Sequence, residues 1–423
     1  MQIIKTYGNI IKKTAAGHPS AAFRMIKAGL RLEQFRTGYL MDKRIPKAYQ
    51  YLNNYAIGNV LCALKHPGRT AWVNLFTPVE ILQCFGLYCL SAEALSSYLS
   101  GFYIEDALID FAESEGIAST LCSYHKTFIG AIDSGLIPPA AFATTTSMIC
   151  DANVNTFRHL SQKHNVPCYM LDIPEEFTEE SQNYVVIQLK EMIAMLEDTF
   201  HKTLDLKELS YILERENLSR QYYLDFLRVS AHKDYPSTLT LQMFMLFATH
   251  LSIGTPEMLY FFRTMYEEVK TAPPFTGQKL FWIHLFPYYQ NTLKEYFNLN
   301  DNYQILGTEM NLDYLEPLDA SQPLNALAKK MICNLYNGSY QKKADLAASI
   351  AEKLGADGVI NFCHWGCKQS SGGSMLLRET MQKHNLPLLI LDGDGVDRRN
   401  SHDGQIRTRL EAFLELLKQN KGV

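Results

Sequence analysis

The chain has 423 residues, of which 47% are hydrophobic and 20% are charged, as in globular proteins large enough to form two or three domains. Its formal net charge of −4 excludes a broad electrostatic attraction to nucleic acid or to a membrane surface. No run of about 18 apolar residues is present to cross a bilayer, and no signal-peptide pattern opens the chain, so we expect a cytoplasmic protein.

The order of apolar and helical segments predicts an α/β fold with two parallel-sheet halves, a helical N-terminal segment and a helical insertion. We place a helical N-terminal segment at residues 1–68, a first α/β domain at 69–176, a helical insertion at 177–275 and a second α/β domain at 276–423. Helices are predicted at residues 21–35, 48–64, 92–99, 153–163, 184–200, 206–214, 239–251 and 405–417. Strands are predicted at residues 70–74, 86–90, 140–145, 168–172, 279–284, 304–306, 358–362 and 387–391.

Residues 356–392 combine a predicted strand, two cysteines, a Gly/Ser turn, a helix at residues 374–384 and a second strand. Cys363 and Cys367 therefore fall near the carboxyl end of a parallel strand, where open α/β sheets carry their sites. This placement favours a metal or redox site on a β-α-β unit. The alternative, two small buried cysteines that only pack, is about equally favoured for this pair alone.

An internal sequence repeat favours the metal or redox site. The tetrapeptide Gln-Lys-His-Asn occurs at residues 382–385 and again at residues 162–165, and each copy precedes a proline and a strand that ends in Leu-Asp. Each copy also follows a helix-length segment and, before that, a cysteine: Cys367 in one and Cys150 in the other. The repeat predicts a duplicated architecture with thiols converging between the halves, while an accidental match of a helix end and a proline turn remains the alternative.

The nine cysteines, an odd number without a secretory signal, indicate free thiols or metal ligands rather than disulfide bonds. Cys122, Cys150 and Cys367 lie at strand ends or in turns rich in small residues, and three thiolates from separate loops suit a [4Fe–4S] cluster. A structural zinc site more often shows tight Cys-x-x-Cys pairs, which the chain lacks. Cys363 competes with Cys367 as the third ligand. The remaining cysteines are interpreted as packing residues: Cys62, Cys84, Cys89, Cys168 and Cys333. This interpretation is least secure for Cys84 and Cys89, which flank a predicted strand.

Phosphate-binding loops of the G-x-x-x-x-G-K-[ST] and G-x-G-x-x-G types are absent from the sequence, so we expect no ATP or dinucleotide site of those kinds. The charged run at residues 392–399, DGDGVDRR, is interpreted as a turn whose polar groups are satisfied rather than as a direct part of a site.

Several of these motifs together resemble the 2-hydroxyacyl-CoA dehydratase and benzoyl-CoA reductase family, and in particular subunits like the 2-hydroxyglutaryl-CoA dehydratase D-component. The resemblance spans about residues 70–417 and rests on TPVEILQCFGL from Thr77, LCSYHK around Cys122, ICD at Cys150, CHWGCKQSSGG around Cys367, and the C-terminal stretch from residue 386. It implies two Rossmann-like halves that hold a [4Fe–4S] cluster between them through Cys122, Cys150 and Cys367.

The resemblance also implies partners and a reaction. A separate ATP-hydrolysing iron–sulfur activator would deliver one electron, a homologous second subunit or a second copy would complete the enzyme, and a 2-hydroxyacyl-CoA would lose water through a ketyl radical. The alternatives are a benzoyl-CoA reductase-like enzyme, a double-cubane reductase using Cys84 or Cys89 as further ligands, or a non-catalytic subunit for electron transfer or assembly.

Two further polar residues are predicted near the cleft between the halves. Glu80 lies in the first turn of the helix that begins at Thr77-Pro78, and His364 lies between the two candidate ligands of the last group. Either side chain would orient a bound hydroxyl or move its proton. The alternatives are a first-turn carboxylate that only stabilises its helix and a histidine that donates a hydrogen bond to a cluster sulfur.

Overall fold

A computed structural model describes residues 2–420, beginning with three helices that precede the first sheet. These are α1 (Gln2–Ala15), α2 (Pro19–Tyr39) and α3 (Lys47–Lys65). Helix α3 packs against α2, α11 and α12, where α11 is Leu239–Leu251 and α12 is Pro256–Thr271. The N-terminal helices are thereby joined to the helices that connect the two sheets.

The first sheet and its helices follow in alternating order along the chain. They are β1 (Thr70–Val73), α4 (Val79–Cys84), β2 (Tyr88–Ser91), α5 (Ala92–Gly101), α6 (Glu105–Ser114), α7 (Ser123–Asp133), β3 (Phe142–Thr146), α8 (Asp151–His164) and β4 (Cys168–Leu171). Helices α9 (Glu179–Phe200) and α10 (Leu206–Ser230), with α11 and α12, then connect β4 to the second sheet.

The second sheet repeats this alternation. Its elements are β5 (Gln278–Ile283), α13 (Asn291–Phe297), β6 (Tyr303–Thr308), α14 (Pro323–Ile332), α15 (Tyr340–Lys353), β7 (Gly358–His364), α16 (Lys368–Ser371), α17 (Ser374–Lys383), β8 (Leu388–Gly393) and α18 (Asp403–Asn420). Among residues 2–420, no helix combines the length and the apolar character needed to cross a bilayer.

Both sheets have four parallel strands in the same spatial order. The first runs β2-β1-β3-β4 and the second runs β6-β5-β7-β8. The α/β fold with a helical N-terminal segment is therefore confirmed. The central strands β1, β3 and β7 are buried along their whole length, as expected when helices cover both faces of a parallel sheet.

The repeated Gln-Lys-His-Asn sequences occupy equivalent places in the two halves. Asn165 ends α8 and Asn385 follows α17, and both asparagines have a φ of 54°, a left-handed conformation that asparagine tolerates at helix ends. The strands that follow, β4 and β8, hold the same edge position in their sheets. The echo in the sequence thus reflects a repeated topology.

Several boundaries differ from those predicted. Helix α10 continues to Ser230, 16 residues beyond the predicted end at Glu214, and β2 begins at Tyr88 rather than Gly86 because Gly86 adopts a positive φ of 69°. Helices α6 and α7 were not predicted, although α7 begins directly after Cys122. Every residue of α7 from Ser123 to Ile132 is buried, so its sequence lacks the polar face that marks a surface helix.

Candidate functional site

The three proposed cluster ligands each lie directly before a helix. Cys122 precedes α7, Cys150 precedes α8 and Cys367 precedes the single turn α16. Cys150 and Cys367 follow the equivalent strands β3 and β7. The amino ends of α7 and α8 carry partial positive charge, which favours the thiolate form that binds iron.

The three thiols lie close enough to influence each other electrostatically. Burial raises the pKa of Cys122 well above its usual range, and the neighbouring sulfurs of Cys367 and Cys150 raise it further. Burial and Cys367 raise the pKa of Cys150 to about 12, against the opposing effect of the backbone amides of Ala152 and Asn153. Positive charge at the centre of the group, such as that of a bound metal, would favour loss of these protons.

Gly366 brings the loop of the second half against the loop of the first. It has a φ of 77°, and a Cβ atom built on it would lie 2.8 Å from the backbone nitrogen of Cys122. A glycine therefore permits the approach of Cys367 to Cys122 both by its backbone conformation and by its lack of a side chain.

The arrangement fits a cluster better than a single metal ion. Within residues 2–420, no three His, Cys, Asp or Glu side chains are arranged to hold one ion. In a cubane each cysteine binds a different iron, so the ligands surround the cluster rather than meet at one point. Cys122, Cys150 and Cys367 lie on three separate loops and affect one another's pKa values, which is compatible with that requirement.

Cys363, the competing candidate, is directed elsewhere. It lies within β7, its thiol lies 3.2 Å from the carbonyl oxygen of Ser370, and the amide of Asn361 lies 3.3 Å from its sulfur. Burial raises the pKa of Cys363 to about 12, with a further increase from Asp392 and an opposing effect of Lys343. Cys367 remains the proposed third ligand.

His364 lies beside the cysteines, as its sequence position suggested. Its Nδ1 accepts a hydrogen bond from the backbone N–H of Gly395 at 2.9 Å, and its Nε2 lies 3.1 Å from the sulfur of Cys122. Burial lowers the pKa of His364, which favours the neutral ring. Since Nδ1 is an acceptor, the proton of the neutral ring lies on Nε2, and this N–H donates a hydrogen bond to the sulfur of Cys122.

The charged turn at residues 392–399 holds this histidine in place. Asp394 accepts hydrogen bonds from the hydroxyl of Ser123 at 2.5 Å and from the backbone N–H groups of Val396 and Asp397. The polar groups of the turn are satisfied, as interpreted from the sequence, in part by residues of the first half, and the turn also fixes the N–H of Gly395 that orients His364.

A second histidine beside the cysteines was missed in the sequence. His284 follows β5 with a φ of 75°, and its Nε2 lies 3.5 Å from the sulfur of Cys367. Both carboxylate oxygens of Glu309 accept from the backbone N–H of His284 at 3.0 Å. A signal was available, because the central strands β5 and β7 each lead directly into a histidine, at 284 and 364.

Glu80 lies in a separate buried ion network. The amine of Lys330 donates to Glu80 and to Glu216 at 2.6 Å each, and Arg220 donates to Glu216 at 2.7 Å. Burial raises the pKa of Glu80 to about 7 despite the opposing charge of Lys330. Burial acts in the same direction on Glu216, but Lys330 and Arg220 outweigh it and lower the pKa of Glu216 to about 2.

The two cysteines considered for a second cluster are integrated into the core. The thiol of Cys84 donates to the carbonyl oxygen of Glu80 at 3.4 Å, and Cys89 lies within β2. Burial raises the pKa of each to about 12.

Comparison with known proteins identifies the family. A family profile described as "2-hydroxyglutaryl-CoA dehydratase, D-component" matches residues 74–417, which is most of the chain. The chain belongs to this family. The resemblance noted in the sequence is therefore confirmed, and the match includes every cysteine proposed as a ligand.

Individual relatives are distant but aligned over most of their length. The chain is 22% identical to the lactoyl-CoA dehydratase subunit alpha of Anaerotignum propionicum, covering 82% of this chain and 90% of that protein. It is 22% identical to the (R)-phenyllactyl-CoA dehydratase alpha subunit of Clostridium sporogenes over 89% and 97% of the two chains. It is 21% identical to a benzoyl-CoA reductase subunit of Thauera aromatica over 81% and 87%.

Proposed function

We propose that this protein is the iron–sulfur subunit of a 2-hydroxyacyl-CoA dehydratase-type enzyme, a lyase that removes water from a 2-hydroxyacyl-CoA by radical elimination. The observation that carries the proposal is the convergence of Cys122, Cys150 and Cys367 from loops of both halves, in a chain whose family is named for this reaction. Relatives named as dehydratase alpha subunits support the same assignment.

In this proposal, Cys122, Cys150 and Cys367 hold a [4Fe–4S] cluster. A cluster bound by these three thiolates would supply an electron for the thioester and a Lewis-acidic iron for the departing hydroxyl. The protein holds the thiolates in place through the starts of α7 and α8 and the contact of Gly366 with Cys122. His364 donates a hydrogen bond from Nε2 to the Cys122 sulfur and thereby stabilises negative charge there.

We propose that Glu80, within its separate ion network, accepts or returns a proton in the reaction. Burial raises the pKa of this carboxyl, which brings its proton exchange closer to the pH of the cell, as general acid–base catalysis requires. Lys330 and Glu216 fix the orientation of its carboxyl group.

The proposed partners follow from the family. Because the relatives are named as subunits, we propose a homologous second subunit or a second copy of this chain. We also propose an ATP-hydrolysing iron–sulfur activator as electron donor, since the sequence lacks the phosphate-binding loops of the common nucleotide folds.

Substitution of the cysteines tests the assignment. We expect anaerobically purified protein to contain about four irons per chain. Cys122→Ser, Cys150→Ser and Cys367→Ser should each lose the normal cluster, because two thiolates do not hold a stable cubane. Iron content and the absorbance of the cluster are measured together with the thermal unfolding of each variant.

The chain offers matched controls for this experiment. Cys62→Ser, Cys168→Ser and Cys363→Ser change the same atom at positions outside the proposed ligand set and should keep the cluster. Iron-free protein after anaerobic reconstitution would contradict the proposed function. Loss of the cluster in Cys363→Ser but not in Cys367→Ser would show that Cys363, and not Cys367, is the third ligand.

A further inference from the structure

The first two helices, α1 and α2, form a basic surface in a chain whose net charge is −4. They contain seven lysines and arginines but one carboxylate, that of Glu33. Arg36 pairs with Glu33 and Lys12 pairs with Asp106, whereas the other five cations make no ion pair among residues 2–420. The repulsion within this surface is therefore largely uncompensated.

The solvent-facing side of α2 also exposes apolar side chains. Leu32, Phe35 and Tyr39 are 70%, 59% and 77% exposed, and the ring centroids of Phe35 and Tyr39 lie 4.9 Å apart. Arg24 and Arg31 are exposed on the same side of the helix, since they precede Phe35 at helical spacing. We name Arg24, Arg31, Phe35 and Tyr39 the α2 face.

The segment at residues 172–198 carries the opposite charge. It contains eight carboxylates and one lysine, and within the part of the chain that the structure describes none of these carboxylates takes part in an ion pair. On α9, Tyr184 and Ile187 are 44% and 55% exposed. Glu191 and Asp198 are exposed on the same side at helical spacing. We name these four residues the α9 face.

The two faces match when the helices run in opposite directions. From its amino end, the α2 face has positions 24, 31, 35 and 39, at intervals of seven, four and four residues. From its carboxyl end, the α9 face has positions 198, 191, 187 and 184, at intervals of seven, four and three residues. Antiparallel pairing therefore sets both arginines against carboxylates and both aromatic rings of α2 against Ile187 and Tyr184, which favours this register over others.

The two faces do not cover each other within one chain. Helix α2 packs against α1 and α3, whereas α9 packs against α14 and β4. Their named residues are exposed in each case. Contact between the faces therefore requires two molecules.

We propose that a second copy of this chain docks its α9 face on the α2 face, and that a two-fold axis repeats the contact with the roles exchanged. This inference rests on the proposed function only in taking a second copy as the partner, because its evidence lies in these two helices and not in the cysteines.

The size of the contact fits a dimer whose stability depends on charge. Helices α2 and α9 have 21 and 22 residues, so each is about 30 Å long and about 10 Å wide. Two contacts with about 300 Å² on each face bury about 1,200 Å², the lower end of the range for specific interfaces. We therefore expect a dissociation constant on the order of micromolar that rises with salt, because salt screens exposed charges.

Exchange of charge between the faces tests the proposal. Arg31→Glu and Glu191→Arg each place like charges together in both contacts of the dimer, and each should raise the dissociation constant at least about tenfold. An equimolar mixture of the two variants should recover the wild-type association, because each of its two contacts again joins an arginine to a glutamate. Sedimentation velocity of full-length protein at low salt measures the association, together with the thermal unfolding of each variant.

The chain offers matched controls for the change in charge. Arg378→Glu and Glu379→Arg alter the net charge equally at exposed positions of α17, which packs against α15 and β8, and should associate like the wild type. Tyr169→Phe removes the hydrogen bond that Glu191 accepts from the Tyr169 hydroxyl but keeps the charge of Glu191, and it should also associate normally.

Three results would overturn the proposal. They are a wild-type protein that stays monomeric well above micromolar concentration, face variants that associate normally, and a mixture that does not recover. Binding of the wild type but not of Arg31→Glu to phosphatidylcholine vesicles containing phosphatidylserine, without self-association, would assign the α2 face to a membrane surface and overturn it as well.

Iron content separates this inference from the proposed function. Protein that carries its cluster but stays monomeric refutes the contact alone. Iron-free protein whose association follows the exchange of charge supports the contact and refutes the proposed function.

Discussion

His364 is the residue whose local chemistry is most closely defined. The N–H of Gly395 fixes its tautomer, so its Nε2 donates to the sulfur of Cys122. Hydrogen bonds to cluster sulfurs stabilise the reduced state, because that state carries more negative charge on sulfur. We therefore predict that His364→Ala keeps the iron but lowers the reduction potential by on the order of tens of millivolts, measured by anaerobic potentiometric titration.

The control for this prediction is the same substitution elsewhere in the second half. His384 is partly exposed and pairs with Glu352 at 3.1 Å, away from the cysteines. His384→Ala should have the wild-type potential. An unchanged potential in His364→Ala, with full iron content, would show that the contact with Cys122 does not affect the cluster.

Glu80 leads to a prediction about stability and pH. Its pKa in the folded protein is raised to about 7 from an ordinary value near 4.5, so the stability it contributes is fully present below pH 4.5. That contribution is lost as pH rises through about 7, because the carboxyl must then ionise while buried. Glu80→Gln, which stays neutral, should remove this loss, on the order of a few kcal/mol at most.

The measurement is the melting temperature of both proteins between pH 4.5 and 8. The wild type should lose stability relative to Glu80→Gln over that range. Glu257→Gln is the control, because Glu257 also lies in the first turn of a helix after a Thr-Pro pair but is exposed. Parallel curves for Glu80→Gln and the wild type would contradict the raised pKa.

At the scale of the elements, the loop after β7 depends on one glycine. Gly366→Ala would place a Cβ 2.8 Å from the backbone nitrogen of Cys122 at a φ of 77°. We predict that the loop moves away, that Cys367 no longer reaches the other two thiols and that the cluster is lost while the fold remains. Iron content and circular dichroism together measure the two effects.

Gly135→Ala is a closely matched control. Gly135 has a φ of 71° but no atom within 4 Å of the position of an added Cβ. The Gly135→Ala variant therefore has the same kind of backbone strain as Gly366→Ala, but its added Cβ collides with no neighbouring atom. If both variants lose iron equally, the strain alone is responsible and the contact with Cys122 is not.

The elements were predicted from the sequence where the signal is local. The strand before Cys363 and helix α11 stand out by composition and spacing, and the two Gln-Lys-His-Asn sequences correctly indicated a repeated unit. Lys330 could not be predicted in the same way, because it is 250 residues from Glu80 and the pairing depends on how α14 packs against α10. His284 had a local signal at the end of a strand but only the fold brings it to Cys367.

For the whole molecule, the candidate site depends on how the two halves are joined. The charged turn of the second half reaches into the first, where the hydroxyl of Ser100 donates to the carbonyl oxygen of Val396 at 3.1 Å and Arg398 pairs with Glu105 at 2.5 Å. The first half supplies Cys122 and Cys150, and the second supplies Cys367. The same contacts that hold the halves together therefore set the distances among the thiols.

The last prediction concerns the assembly required for activity. In the proposed function, the chain holds a cluster but receives its electron from an activator that hydrolyses ATP, and it acts with a second subunit or a second copy. The isolated chain should therefore show no ATP hydrolysis and no dehydration of an acyl-CoA with chemical reductant alone. Adding the activator and ATP should start turnover, and a homologous subunit should be required if the enzyme is a heterodimer.

The assay follows loss of water from the 2-hydroxyacyl-CoA under anaerobic conditions, with the Cys150→Ser protein as the inactive control. ATP hydrolysis by the isolated chain at a rate that accounts for turnover would place the nucleotide site in this protein and contradict the proposed division of labour.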